Sequence, residues 1–416
     1  MGMTTFFWVL AAFYAIYLSV EIALDTLNWR HVLKHRHEVP ELFKSSISEE
    51  TYLKSIDYTQ SKIKLHIAQL LYQACFVWML ILSGAFLKID LWTKDFVSHG
   101  FIQAILYPFV VGFLFYLAGL PFAIYQQFYL EARFGFNKMT ASTFISDQLK
   151  ALMLSCALGL PIVALIFWLI DMAGPFWWIW GFAAIMAFQL LTAALFPVLL
   201  APIFYKFSPL PEGELKNRLT TLAKTLRFKM AGIFTIDGSK RSTHSNAFFA
   251  GMGRARRIVL FDTLVNNLST DEITSVIAHE MGHNIKKHIQ RSLLLSAITM
   301  LIGFWVLSLC LQWPEFYQTF GIPHPNMYIG VVLFVLFSAI FTFPLNPIFH
   351  ALSRKHEYEA DAFSVQALGD KQNMISSLIK LSKDNLANMT PHPWYSFFHY
   401  THPTTIERVR AIDQLR

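Results

Sequence analysis

The sequence predicts a mainly α-helical, polytopic membrane protein with a small α+β region on one side of the bilayer. Three observations carry this reading. Hydrophobic residues make up 55% of the 416 and charged residues only 15%, against about 25% charged in a soluble globular chain. Seven apolar runs approach or exceed the roughly 20 residues that a helix needs to cross the hydrocarbon core. An H-E-x-x-H pattern stands in a basic segment just before the sixth run.

The runs cover residues 6–24, 65–87, 101–125, 151–170, 175–203, 292–313 and 327–349. Each is read as a membrane helix, and the fifth is long enough to hold a kink or an interfacial extension. The first has no basic segment before it and no small-residue cleavage site after it, so it reads as a retained span. "MGMTTF" carries Phe6 where an N-myristoylation pattern needs Ser or Thr. Cys75, Cys156 and Cys310 all fall inside runs and are expected as buried free thiols. Glu21, Gln73 and Gln189 also lie in runs. They suit a wet interior, interhelical hydrogen bonds or the membrane interface.

The net charge of +7 is not spread as a nucleic-acid-binding surface would be. Lys and Arg number seven in 25–64, two in 88–100, three in 126–150, fourteen in 202–291 and eight after 350. The segment before the first run and the loops near 171–174 and 314–326 have none. Basic and basic-poor segments therefore alternate, as the positive-inside rule requires for one orientation. The expectation is an N-terminus outside, with the C-terminus and the basic loops in the cytosol.

Four regions follow: residues 1–201 with five spans, a cytosolic insert at 202–291, two further spans in 292–349, and a cytosolic helical region at 350–416. "APIFYKFSPLPEGEL" opens the insert, its prolines breaking the preceding helix. Leu215, Leu219, Leu222 and Leu226 recur at helical spacing, predicting a helix over 215–227. "GIFTIDG" and "RIVLFDTLV" read as strands, and the glycines of "SNAFFAGMGRAR" between them suit a hairpin turn. Ser269 and Glu272 fit a capping box opening the next helix.

That helix carries His279-Glu280-Met281-Gly282-His283. Residues four apart share a helix face, so His279 and His283 can reach one ion. Imidazole suits zinc, whose catalytic sites take three protein ligands and leave a fourth position for water. Glu280 can accept that water's proton. A third ligand is expected from "SRKHEYEAD", where Glu357 and Asp361 are four apart. One carboxylate would bind the ion while the other hydrogen-bonds a ligating histidine. His283 lies nine residues before the sixth run and Glu357 eight after the seventh. At about 1.5 Å per residue, helices continuing both spans bring them to similar depth. Pro344 and Pro347 can bend the seventh helix toward that approach. His288, five residues past His283, is expected off the ligand face and exposed.

With these motifs in this order around seven spans, the chain resembles the type I CAAX prenyl proteases, a family of integral-membrane zinc metalloendopeptidases. "RFGFNKMT", "SPLPEGEL", "DGSKRSTHSNAFFAG", "RIVLFDTL", "HEMGH", "EYEAD" and "HYTHPTTIER" carry the likeness. It implies spans enclosing a chamber and a zincin-like catalytic region. It also implies one Zn2+ per chain on His279, His283 and Glu357, with Glu280 as catalytic base and acid and Asp361 orienting a histidine. Asn246 and Ala247 match the strand that pairs with substrate backbone. His402 matches a histidine that helps hold substrate or the oxyanion, although a structural partnership with the C-terminal helix fits it equally. Arg408 most simply belongs to an ion pair.

The implied partners are the lipid bilayer and a prenylated or membrane-associated protein substrate, in a bacterial inner membrane or endoplasmic reticulum. Nothing in the residues encodes isoprenoid recognition. Quality control of unprenylated membrane proteins is therefore an alternative. A seven-helix receptor or transporter with a vestigial metal site is a third reading, disfavoured because the base and three ligands are all present. The sequence does not fix the oligomeric state.

Overall fold

The computed structural model describes residues 4–251 and 256–415. Among them, seven helices are long and apolar enough to cross a membrane: Thr5–Lys34, Glu49–Leu82, Gly100–Phe134, Ala141–Met172, Gly174–Phe204, His288–Cys310 and Met327–Leu368. The fifth is kinked by a π-helical turn at Phe196–Leu200 around Pro197, as its length allowed. In the seventh, a 3-10 turn at Phe343–Leu345 separates the spanning part from a helix at Asn346–Leu368. Pro344 lies in that turn and Pro347 in the first turn of the helix after it.

The spans form a ring in chain order, and named contacts join each neighbour. Tyr14 meets Trp78 between the first and second, and Tyr72 meets Phe122 between the second and third. Phe109 fills the space over Gly159, Phe304 that over Gly181, and Leu311 that over Gly330. Small residues let membrane helices approach closely, because no hydrophobic drive separates lipid from side chain. Phe167 and Trp177 share a cluster at the fourth–fifth junction, and Tyr14 on Phe337 closes the ring.

The main apolar core sits at one end of this ring, away from the H-E-x-x-H helix. It gathers Phe7, Ile81, Phe86, Tyr107, Leu311, Tyr317, Phe320 and Ile329, all near the span ends that meet there. A buried Asp90 ties it together, accepting from Lys94 at 2.7 Å, Gln103 at 2.9 Å and the Tyr328 hydroxyl at 2.5 Å. Only 6% to 33% of each span's most apolar stretch is buried within the protein, as expected of helices that turn most of their apolar surface toward lipid.

The other end carries the non-membrane region. Its sheet has strands β1 (Phe207–Pro209), β2 (Gly232–Ile236), β3 (Ala247–Ala250) and β4 (Arg257–Phe261) in the order β1-β2-β4-β3. β2 and β4 are the two expected strands and run parallel, while β3 pairs antiparallel with β4. The two expected strands are therefore not joined by a hairpin: within the segment expected as their turn Ala247–Ala250 is itself a strand, and residues 252–255 lie outside the described ones. "DTLV" does not extend β4: Asp262 starts a short helix, Asp262–Asn267, where its carboxylate accepts from the Ser239 and Thr263 amides. The leucine-spaced helix runs Glu214–Thr225 and packs Leu219, Leu222 and Ala223 under the sheet.

Several sequence expectations need correction. The cysteines are free, but Cys75 is exposed and the other two are half-buried. Cysteine's apolarity does not separate burial in protein from exposure on a span. Gln73 and Gln189 are exposed and make no side-chain hydrogen bond to a described residue, so they do not bolt helices together. Glu21 is buried, 3.5 Å from His399.

The helix Thr270–Ile285 opens with the capping box in full: Glu272 N donates to Ser269 Oγ and Ser269 N to Glu272 Oε2. The Glu272 carboxylate also receives Lys380 at 2.7 Å. This helix packs along Asn346–Leu368, where Ser364 Oγ donates to Ser275 O at 2.8 Å. Gly282 sits at the closest approach: a Cβ there would lie 3.0 Å from Phe363 Cδ1 and 3.3 Å from the Ala360 Cα. Overpacking of this kind costs about 1–3 kcal/mol. Gly282→Val is therefore expected to lower the thermal midpoint of the purified protein by several degrees, read by tryptophan fluorescence. An unchanged midpoint would mean that the two helices can part freely.

Candidate metal centre

The helix at Thr270–Ile285 contributes His279 and His283, and the helix at Asn346–Leu368 contributes Glu357. Their ligand atoms lie within 4.8 Å of one another. His279 Nε2 is 3.1 Å from His283 Nε2 and 3.4 Å from Glu357 Oε2, and His283 Nε2 is 3.2 Å from Glu357 Oε1. A tetrahedral ion with bonds of about 2.0–2.1 Å holds its ligand atoms about 3.3 Å apart. The triangle fits such an ion. Glu357 Oε2 is also buried without a hydrogen-bond partner, an arrangement that costs free energy unless a cation completes it.

The charge inventory agrees. Glu357, Asp361 and Glu280 bring three carboxyl groups to one guanidinium, that of Arg408. Arg408 chelates Asp361 at 2.8 and 2.6 Å and approaches Glu357 at 3.5 Å. A divalent cation balances the remainder. Asp361 Oδ1 lies 2.7 Å from His279 Nδ1; that contact fixes the ring and turns its Nε2 toward the site. Glu280 makes no direct pair. Burial raises its pKa above the ordinary carboxyl range, against the opposing charges of His279 and His283.

His402 stands at the rim. Its ring is 63% exposed and its Nε2 is 3.4 Å from Glu357 Oε1. It precedes the C-terminal helix, Thr405–Asp413, which is capped by Thr404 and Glu407 without its help. Asn246 and Ala247 lie at the start of β3, the edge strand nearest the H-E-x-x-H helix. Asn246 O accepts from Phe261 N on β4, whereas the Ala247 N–H is held by the Asn246 side chain at 2.8 Å. Ala247 N therefore points to the unpaired side of the sheet.

The segment leading to this strand is anchored to the membrane ring. Arg241 forms a bidentate pair with Asp147 at 2.8 and 3.0 Å, and Lys138 N donates to Arg241 O. The His244 ring stacks on Phe136 at 4.0 Å. Beside it opens a cavity of about 780 Å³ whose wall includes Asp25, Tyr58, His66, His244, Asn246 and Tyr395.

His288 overturns its expectation. It is 2% exposed, and its Nδ1 lies 3.0 Å from His283 Nδ1. The reading failed because the H-E-x-x-H helix does not continue into the sixth span. Lys287, at φ 62°, breaks it, and a new helix starts at His288. The premise that both helices run on unbroken from their spans therefore fails for His283, and the 3-10 turn at Phe343–Leu345 interrupts the helix on the Glu357 side as well.

In the metal-free chain, burial pushes the His279 imidazolium down, but Asp361 and Glu357 more than offset this and raise its pKa to about 9. A metal must displace that proton. Affinity for zinc is therefore expected to rise by about tenfold per pH unit from the usual histidine range up to about 9, and then level. Competition titration with a chelator of known pH dependence reads this; a flat profile would contradict the Asp361–His279 pairing.

Two family descriptions match the chain: "CAAX prenyl protease N-terminal, five membrane helices" over residues 28–206 and "Peptidase family M48" over 209–416. It is 35% identical to CAAX prenyl protease 1 homolog of Arabidopsis thaliana, covering 90% of each chain. It is 36% identical to CAAX prenyl protease 1 of Saccharomyces cerevisiae, covering 90% of this chain and 88% of that one. The crystal structure of S. mikatae Ste24p superposes with a TM-score of 0.92 at 34% identity, covering 99% of both chains.

Proposed function

We propose that this chain, which belongs to peptidase family M48 and to its CAAX prenyl protease branch, is a zinc endopeptidase that removes the last three residues of prenylated CAAX proteins. The chain is an integral-membrane metalloendopeptidase of that family. The triangle of His279, His283 and Glu357, with Glu280 beside it, supports metal-dependent hydrolysis; the observation that supports the finer reading is the 35–36% identity to CAAX prenyl protease 1 sequences over 90% of the chain.

Zinc on these ligands would supply a Lewis acid for the scissile carbonyl and lower the pKa of the attacking water. Glu280 takes that water's proton and delivers it to the departing amine, and its raised pKa moves it toward the range where both transfers are efficient. Asp361 and Arg408 keep the His279 ring in place. The substrate backbone adds to β3 as an extended strand, taking the Ala247 N–H that the Asn246 side chain occupies in the free chain. His402, exposed beside Glu357, donates to the carbonyl oxygen as charge builds on it.

The site faces the cytosol in this reading. The short loops 25–64 and 126–150 are basic and lie on the same side as both metal-bearing segments. In a cysteine-free background, a cysteine at Asp171 is expected to label with a membrane-impermeant reagent in intact cells and one at Lys216 is not. The reverse result would invert the topology.

One zinc per chain is expected in the purified protein and none in Glu357→Ala. Glu280→Gln is expected to keep its zinc while losing at least about 10²–10⁴-fold in turnover. A farnesylated CAAX peptide should be cut and its unprenylated twin spared. Equal cleavage of both would favour quality control of unprenylated membrane proteins instead.

A further inference from the structure

We propose that His288 is the positioning residue for His283, forming with Glu359 a carboxylate–imidazole–imidazole relay that dictates which nitrogen of His283 faces the metal. This rests on reading His283 as a ligand through Nε2.

The proton count leaves one arrangement. His283 Nε2 faces His279 and Glu357 and must present a lone pair to bind an ion, so its proton sits on Nδ1. That N–H lies 3.0 Å from His288 Nδ1, which must then accept. The His288 proton is therefore on Nε2, where it donates to Glu359 Oε2 at 3.0 Å. Both rings are neutral and every nitrogen is satisfied. His279 receives the same support directly from Asp361; His283 receives it through an interposed ring.

The geometry explains the interposition. Glu359 is two residues past Glu357, about 200° around the same helix, and so projects away from the ligand face. A bridging group is needed. On an unbroken helix His288 would also turn away from His283, since five residues rotate by about 500°. The left-handed Lys287 brings it back. That conformation is strained for a residue with a Cβ, so the surrounding contacts must hold it. The His288 ring stacks on His356 with centroids 4.1 Å apart and planes 7° from parallel. Arg291 at 3.6 Å and Lys355 at 4.0 Å flank the Glu359 carboxylate. With His288 2% exposed, water has no access to replace it.

The test uses full-length protein in detergent, with zinc affinity from chelator competition and the visible spectrum of the Co2+-substituted form. His288→Phe keeps a ring over His356 but cannot accept a hydrogen bond. It is expected to weaken zinc binding about 10–100-fold and to shift the Co2+ bands. His288→Gln can accept and donate, and is expected to recover most of the affinity. Glu359→Gln, at a partly exposed position that tolerates change, should weaken binding by less and supports the relay even where a His288 variant fails to fold. Wild-type affinity and spectrum in His288→Phe or Glu359→Gln would overturn the relay alone. A wild-type chain without zinc would overturn the ligand reading, and the relay with it.

Discussion

The packing of the H-E-x-x-H helix on the helix that follows the seventh span sets the geometry of everything else. Two candidate ligands come from one helix and the third from the other, so the separation of the helices sets the geometry of the candidate metal site. Close packing holds it: Gly282 against Ala360 and Phe363, and Ser364 bonded to the Ser275 carbonyl. A methyl-sized intrusion would move Glu357 relative to the histidines by an amount comparable with the tolerance of a metal bond. The ion pair of Glu272 with Lys380 extends the same clamp to the next helix of the C-terminal region.

The membrane ring divides its labour along its length. One end is sealed by aromatic packing and the Asp90 network. The other spreads its helix ends to meet the sheet and the C-terminal helices. Close packing and the hydrogen bonds of Asp90 at that end supply cohesion, since apolar side chains gain little by merely leaving lipid for protein.

Periodicity and motif made most of this legible. The seven spans, the capping box, β2, β4 and an interruption of the seventh helix near Pro344 all follow from local pattern, and the structure carries them; the pairing of Asp361 with a histidine entered by resemblance. What could not be read turned on single backbone choices or distant contacts. Lys287 adopts a left-handed conformation with no glycine or asparagine to announce it, which hid the burial of His288. β1 is three residues long and ends in proline, too short for any alternation. The burial of Glu21 depends on His399, nearly four hundred residues away. The roles of His402, Asn246 and Ala247 entered by resemblance, because no spacing rule links them to the metal.

An unpaired strand edge in open water is a hazard, since any passing chain can dock on it. Here Asn246, the residue leading into β3, lines a half-open cavity of about 780 Å³. A folded domain of about 100 residues, with a radius of gyration near 13 Å, does not fit into such a volume. A space of that size admits an extended segment such as a flexible tail, whose backbone is free to pair, while a folded domain keeps its own backbone groups already paired.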